Sequence, residues 1–501
     1  MSHVTISELM ESSGVKFGTS GARGLVEHLS ARVAYAYTAG FLAHLEQSGQ
    51  IGAGSGLRSV AVAGDLRTST PVILAGVCRA AQDRGFSVYH AGRVPSPAVF
   101  HYAASRGIPS IMVTGSHIPE DRNGIKFNTA RGEITKADEQ GIRAQRVEVP
   151  DLFDARGQFK DAACGQLPPV DSGAARAYVE RFTKAFPAGA LRGLKLAVYG
   201  HSAVGRELLV EILEALGARV SRLGWSDVFI SVDTEAIRPQ DVELASAWAR
   251  SEGFFALLST DGDSDRPLLA DENGRFLRGD VLGVLTARQL RASFVAAPVS
   301  CNSMLEQVGW FKTARTRIGS PYVIEAMEAA VRSGERAAVG FEANGGFLTA
   351  SALQVPPLAG EPGGEISALP TRDAVISPLA ALCAAVAQNA TLSALVAALP
   401  KRFTASDRLP EFPTELAQAR LKAFREALPA SAREFLPELG PLASKNEVDG
   451  LRLSFENGEV VHLRASGNAP ELRCYVEAAS EARAELLLRE ALAKLEIWRS
   501  A

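Results

Sequence analysis

Three aspartates spaced one residue apart, Asp261, Asp263 and Asp265 in "STDGDSDRP" (259–267), form the densest chemical signal in the chain. They follow the strand-like run "FFALL" (254–258). In an extended loop alternate side chains project to one side, so the three carboxylates converge. Carboxylates that close repel one another unless a cation neutralises them, and hard oxygen ligands suit Mg²⁺. The spacing, with Glu272 at the twelfth position, partly matches a helix-flanked calcium loop. However, Arg266 stands where that loop needs glycine, and a strand precedes it. A solvated acidic turn is the plainer alternative. Arg266 argues against it, because a cation beside a metal site makes sense when both grip one phosphate.

A second signal is "VTGSHIPEDRNGIKF" (113–127), where an apolar run ending at Val113 leads into Gly115, Ser116, His117 and Pro119. Glycine and proline around the serine predict a tight loop just past a strand's carboxyl end. The loop is either an ordinary strand-to-helix turn or the seat of a nucleophile, Ser116. Lys126 and His117 are then candidates for proton transfer or for holding a modified serine. Two further stretches suit anions. "RASGNAPELR" (464–473) offers Ser466, Gly467 and Asn468 between Arg464 and Arg473, and "FGTSGARG" (17–24) ends near Arg23. Hydroxyls, approachable backbone amides and flanking arginines make plausible phosphate nests. Together these loops point to phosphoryl chemistry on a phosphorylated small molecule.

The chain that must position them has 501 residues, too many for one core, and predicts three or four domains. It is 47% hydrophobic and 22% charged, with a formal net charge of −3. That balance gives no electrostatic footprint for nucleic acid or an anionic membrane, so anions must be held by local clusters. Five scattered cysteines without a C-x-x-C pair predict buried thiols in a reducing compartment. The first residues lack a signal-peptide pattern and no apolar run is long enough to span a bilayer, so the expected location is cytoplasmic.

Short β-branched runs alternate with amphipathic helical stretches through most of the chain, the rhythm of parallel α/β layers. After Asp373 helical sequence alternates with two strands, "GLRLSFENGEVVHLRAS" and "ELRCYVEA", the first turned by Asn457-Gly458. The expected architecture is α/β: three similar α/β domains with mixed parallel sheets, plus a C-terminal α+β domain. Polar or Pro/Gly-rich stretches place the domains at 1–150, 151–254, 255–368 and 369–501, with the metal loop in the third.

Taken in order, the four loops resemble the α-D-phosphohexomutase family over essentially the whole chain. "TGSHIPEDRNGIKF" is similar to its phosphoserine loop and "DGDSDR" to its metal loop. "GFEANGGF" (340–347) resembles its sugar-binding loop and "RASGNAPELRCYVE" its phosphate-binding loop. The resemblance implies four domains around a central cleft, in which phosphorylated Ser116 gives its phosphoryl group to a hexose phosphate. The resulting hexose 1,6-bisphosphate reorients and returns its other phosphate. It implies one Mg²⁺ on Ser116, Asp261, Asp263 and Asp265, with Arg266 and Arg23 adding positive charge around the transferring group. Glu342 and Asn344 would bind sugar hydroxyls, and Arg464, Ser466, Gly467, Asn468 and Arg473 the distal phosphate.

Departures from the usual pattern bear on the sugar. Gly115 replaces alanine, Ile118 replaces asparagine, and "RIGSPYV" (317–323) lacks a histidine. Asn344 stands where serine is common and Gly346 where histidine often stands. The loop variants look most like the bacterial phosphomannomutase branch. The expected reaction is interconversion of mannose 6-phosphate and mannose 1-phosphate, on the route to GDP-mannose, by a monomer or homodimer. Glucose and glucosamine phosphates are the alternative substrates. From a different class, the alternatives are a magnesium-dependent phosphatase and a silent sugar-phosphate-binding protein.

Overall fold

A computed structural model describes residues 2–18, 21–51, 58–466 and 470–500. The first sheet runs, edge to edge, Lys16–Phe17, Gly21–Leu25, Arg122–Thr129, Ser110–Val113, Ser59–Gly64, Ser87–His90. The inner strands Ser59–Gly64 and Ser110–Val113 are buried at every position. That burial follows from helices covering both faces, which is why "SVAVAG" and "SIMV" read as continuous rather than alternating patterns. Ser59–Gly64 pairs in parallel with both neighbours, whereas Ser110–Val113 pairs antiparallel with Arg122–Thr129. The Ser116 loop therefore joins two antiparallel strands and does not lead into a helix.

The same plan recurs twice. In the second sheet Lys195–His201 lies parallel to Arg219–Trp225 and Ala256–Thr260, and the last of these turns back antiparallel into Pro267–Ala270. In the third, Phe294–Pro298 lies parallel to Lys312–Thr316 and Ala338–Phe341, which turns back into Phe347–Thr349. Each unit thus carries one hairpin loop at an equivalent place: residues 114–121, 261–266 and 342–346. These are the serine, acidic and "EANGG" loops.

Two expected boundaries move. Ala256–Thr260 and Pro267–Ala270 belong to the second sheet, so the acidic loop lies in the second unit and the division at 255 falls inside a sheet. Leu369–Asp373 pairs with Phe347–Thr349, and the helix Ile376–Gln388 packs on Gly279–Gln289. The third unit therefore continues past 368, and the C-terminal sheet begins at Phe403. The segment after 150 also packs backward, with Leu152, Phe153 and Phe159 against the first unit's core.

The C-terminal sheet, order Phe403–Leu409, Leu472–Ala478, Val460–Ala465, Leu451–Phe455, Leu442–Asn446, is fully antiparallel. Gly458, at φ 83°, takes the left-handed position of its Asn457-Gly458 turn. One apolar core runs continuously from Ala61 through the second and third units to Leu399, while the C-terminal unit closes a separate core from Phe412 to Leu495. Polar contacts join that unit to the rest of the chain: Glu477 accepts from Ser303, Asp449 accepts from Ile318 N, and Arg275 pairs with Glu481 at 2.5 Å. No helix among the described residues is long and apolar enough to cross a membrane.

Candidate active site

Ser116 is fully buried and sits at φ 55°, a left-handed conformation that costs a non-glycine residue about 1–3 kcal/mol unless its surroundings enforce it. Those surroundings are visible. Its backbone N–H donates to Thr114 Oγ1 at 2.8 Å, and Thr114 Oγ1 donates to Asp65 at 2.7 Å. Arg67, with a side chain wholly removed from solvent, donates to the carbonyls of Ser116 (3.0 Å), Ile118 (2.5 Å), Pro119 (2.7 Å) and Arg122 (3.0 Å). Its Nε completes the arrangement on Asp65 at 3.2 Å, and the Phe229 ring covers it at 4.0 Å. A single guanidinium thus satisfies the carbonyls of a buried, strained loop. It also explains Gly115: a Cβ there would lie 2.6 Å from Arg67 Cζ, so the alanine usual at this place does not fit.

The acidic loop meets the serine loop face to face. Gly262 permits the approach, since a Cβ on it would stand 2.7 Å from the Ser116 carbonyl oxygen. Ser116 Oγ donates to Asp261 Oδ2 at 2.7 Å. Oxygens of Asp261, Asp263 and Asp265 lie within 4.8 Å of one another, and all three residues are buried. Ser264, at φ 57°, folds the loop into a tight turn that brings the carboxylates together. Asp263 Oδ1 and Asp265 Oδ1 are buried and have no hydrogen-bond partner. Clustered carboxylates with orphaned oxygens fit a hard divalent cation, because buried charge without a partner is otherwise costly.

The surrounding charges are graded. Lys126 Nζ reaches Asp263 at 2.5 Å and Asp265 at 2.8 Å, and Ser96 Oγ donates to Asp263 at 2.5 Å. Burial disfavours charge on Lys126, but Asp263 and Asp265 outweigh it and raise its pKa. Asp265 is likewise held below the usual carboxylate range, because Arg372, Lys126 and Arg266 overcome its burial. Asp261 goes the other way: burial, then repulsion from Asp263 and Asp265, pushes its pKa well up. The His117 ring, with Nδ1 3.3 Å from Ser116 Oγ, is brought down to about 3 by burial and by the cations Arg266 and Arg23.

Beyond these loops opens a polar cleft of about 200 Å³. Arg23, His117, Arg266, Glu342, Asn344, Arg464 and Arg473 all line it. Glu342 is buried and paired with Arg372 at 3.1 Å, and Asn344 Oδ1 accepts from Gly346 N at 2.9 Å. Arg464 is held by Asp449 at 2.9 Å and Arg473 by Glu471 at 3.0 Å. Ser466 is buried at the end of its strand, while Gly467 and Asn468 lie outside the described residues.

Several residues at the site escape the sequence reading. Arg67 carried a legible signal, "GDLR" directly after a strand. Arg372 carried little: it donates to Asp265 at 3.1 Å and to Glu342 at 3.1 Å from the strand Leu369–Asp373, far from either loop in sequence. It also accounts for Gly346, where a Cβ would lie 2.5 Å from Arg372 Cδ. The segment 226–238 of the second unit is a third case. Its Ser231 donates to the His117 carbonyl and its Thr234 to the Asn344 carbonyl, the latter at 2.8 Å.

A buried serine and an acidic triad, each on the hairpin loop of a repeated α/β unit, face an arginine-lined cleft and define a phosphoryl-transfer site of the sugar-phosphate mutase class. Four family models match in succession: phosphoglucomutase/phosphomannomutase alpha/beta/alpha domains I (14–149), II (176–274) and III (278–403), and the C-terminal domain (389–494). A phosphomannomutase of Sinorhizobium fredii is 43% identical over 483 residues, 96% of this chain and 99% of its own length. One from Salmonella muenchen is 39% identical over 479 residues, 95% and 94% of the two chains. In structure, a phosphoglucomutase/phosphomannomutase family protein of Burkholderia thailandensis matches 99% of this chain and 98% of its own, with TM-score 0.72 at 20% identity. The chain belongs to the phosphoglucomutase/phosphomannomutase family.

Proposed function

We propose that the protein is a phosphomannomutase that interconverts mannose 6-phosphate and mannose 1-phosphate through a phosphoserine at Ser116 and a hexose 1,6-bisphosphate. The observation that carries the reading is the Ser116 hydroxyl, buried 2.7 Å from Asp261 in a triad with orphaned oxygens. Near-full-length similarity to two phosphomannomutases supports mannose as the sugar.

Ser116 stores the phosphoryl group between half-reactions. In the first, a sugar hydroxyl oxygen forms a bond to phosphorus as the Ser116 Oγ–P bond breaks, and the hydroxyl proton passes to a base. His117 is placed for that role, with Nδ1 3.3 Å from Ser116 Oγ; an anionic phosphoserine beside it would lift the ring from the low pKa that burial, Arg266 and Arg23 give it. Lys126 is the alternative: the carboxylates that hold it protonated are the ones a bound Mg²⁺ would neutralise, which would free it to accept the proton. Asp261, Asp263 and Asp265 would hold Mg²⁺, which supplies Lewis-acid stabilisation of phosphoryl oxygens when bound. Arg23 and Arg266 add fixed positive charge at the same place. Glu342 and Asn344 orient the sugar, and Arg464, Ser466, Gly467, Asn468 and Arg473 receive the phosphate that is not being transferred.

Side-by-side kcat/KM on mannose, glucose and glucosamine 1-phosphates, with intact mass of the enzyme and free phosphate release, tests the proposal. It expects one phosphate on the active protein and the highest kcat/KM for mannose. Dominant turnover of glucosamine 1-phosphate would overturn the sugar, and phosphate release in place of isomer would overturn the mutase.

A further inference from the structure

The segment 226–238 leaves the second unit's edge strand and crosses to the cleft, where it is pinned at several points. Ile230 N donates to Ser202 Oγ at 2.7 Å, Ser231 Oγ donates to the His117 carbonyl, and Thr234 Oγ1 donates to the Asn344 carbonyl at 2.8 Å. Glu235 comes next, with its own N–H donating to Asp233 Oδ1 at 3.0 Å. The backbone that carries Glu235 is therefore fixed between the serine loop and the sugar loop. Its side chain is exposed into the cleft and takes no hydrogen bond or ion pair from a described residue. Glu235 also lines the two cavities adjoining the cleft, one toward Tyr475 and His462 and one toward Phe276.

A carboxylate in this place is at odds with the rest of the lining. The cleft presents Arg23, Arg266, Arg372, Arg464 and Arg473, as anion binding requires. The other glutamate there, Glu342, is neutralised by Arg372 at 3.1 Å. Glu235 feels Arg266 and Arg278 at longer range without a direct ion pair, and a carboxylate so placed repels phosphate, so its useful partner is the uncharged part of the ligand. A carboxylate is acceptor-only and can take two hydrogen bonds from hydroxyls, which suits a sugar ring.

We propose that Glu235 is a specificity-determining residue that accepts a hydrogen bond from a ring hydroxyl of the substrate and sets which hexose phosphate turns over. This rests on the hexose-phosphate reading above and deepens it. The second unit would then contribute to sugar recognition as well as to the metal loop, through a segment anchored to the sugar loop by Thr234.

The test compares wild type, Glu235→Ala and Glu235→Gln on mannose 1-phosphate and its 2-, 3- and 4-deoxy analogues, with Mg²⁺ affinity measured by titration calorimetry. Removing a hydroxyl acceptor should lower kcat/KM roughly 10- to 100-fold, mostly through KM. One deoxy analogue should cost wild type about tenfold or more yet cost Glu235→Ala less than about threefold, because the shared contact is lost only once. Glu235→Gln, which keeps an acceptor oxygen, should fall between the two. Mg²⁺ affinity should stay within about twofold of wild type. Parallel losses on every analogue, or a kcat/KM of Glu235→Ala within about twofold of wild type, would overturn the proposal. So would a larger change in Mg²⁺ affinity, which would place Glu235 in the metal's charge balance. Failure of the underlying function shows separately, as wild type that isomerises no hexose phosphate, and that result removes both.

Discussion

At the transfer centre each ionic group already touches its working neighbours, whereas at the C-terminal phosphate loop the arginines are tied to carboxylates of their own unit. Ser116 meets Asp261 at 2.7 Å, and Lys126 meets Asp263 and Asp265 at 2.5 and 2.8 Å, all within buried surroundings. Arg464 and Arg473 instead pair with Asp449 and Glu471, and Asp449 also accepts from Ile318 N of the third unit at 3.0 Å. The first region sits among three units that share one apolar core, the second on a unit with a core of its own. The proposed chemistry is prewired, while at the proposed distal site the arginines already carry carboxylate partners with which a phosphate would compete. Preorganisation serves the step that must stabilise developing charge, and a separately cored unit suits the step that must accept the ligand in two orientations.

Four substitutions test the contrast, from the largest expected effect downward. Ser116→Ala should fold normally and lose about 10⁴-fold or more in kcat, since nothing remains to store the phosphoryl group. Intact mass should show the phosphate of the active enzyme missing from this variant, and near-normal turnover would end the phosphoserine mechanism. Asp263→Asn removes one charge from the triad and frees Lys126. We expect kcat to fall roughly 10²- to 10³-fold and the Mg²⁺ requirement to rise, with chelation silencing wild type reversibly. Full activity in excess chelator would rule out the metal role.

Arg67→Ala probes prewiring away from the reacting atoms. Leaving Asp65 and four buried carbonyls without their cation should cost about 3–5 kcal/mol of stability, read from denaturant unfolding. A variant as stable as wild type would mean that the loop holds its strained shape without the guanidinium. Arg464→Ala should have the mildest effect, roughly 10- to 100-fold in kcat/KM, and by similar factors for the 1-phosphate and the 6-phosphate. Impairment of one isomer alone would assign Arg464 to a single orientation and break the idea of a shared distal site.

The residues legible in the sequence are those whose function is local. Asp261, Asp263 and Asp265, or Ser116 with its flanking Gly115 and Pro119, announce themselves because one tight loop holds all of them. Arg372 and Glu235 do not, because their meaning arises only when a later strand or a crossing segment reaches a loop far away in the chain. Ser96, which donates to Asp263 across 167 positions, is a further instance. The α/β rhythm was readable from buried runs such as "SVAVAG". The divisions at 255 and 368 were not, because Pro267–Ala270 and Leu369–Asp373 fold back antiparallel onto their own units, and composition does not mark that return. Two departures from the usual pattern, Gly115 and Gly346, are accommodations: each makes room for an arginine, Arg67 or Arg372.

The repeated hairpin has a consequence for how such a protein diversifies. The proposed nucleophile, metal ligands and sugar contacts are housed in three copies of one device, each braced by its own sheet. Variation in residues 342–346 can therefore retune the choice of sugar while the other two copies keep the chemistry, much as one drawer of a cabinet is refitted without disturbing the rest. Arg372 marks the limit of that independence. Bonded to Glu342 in one loop and Asp265 in another, it makes any redesign of the sugar contacts answerable to the acidic triad.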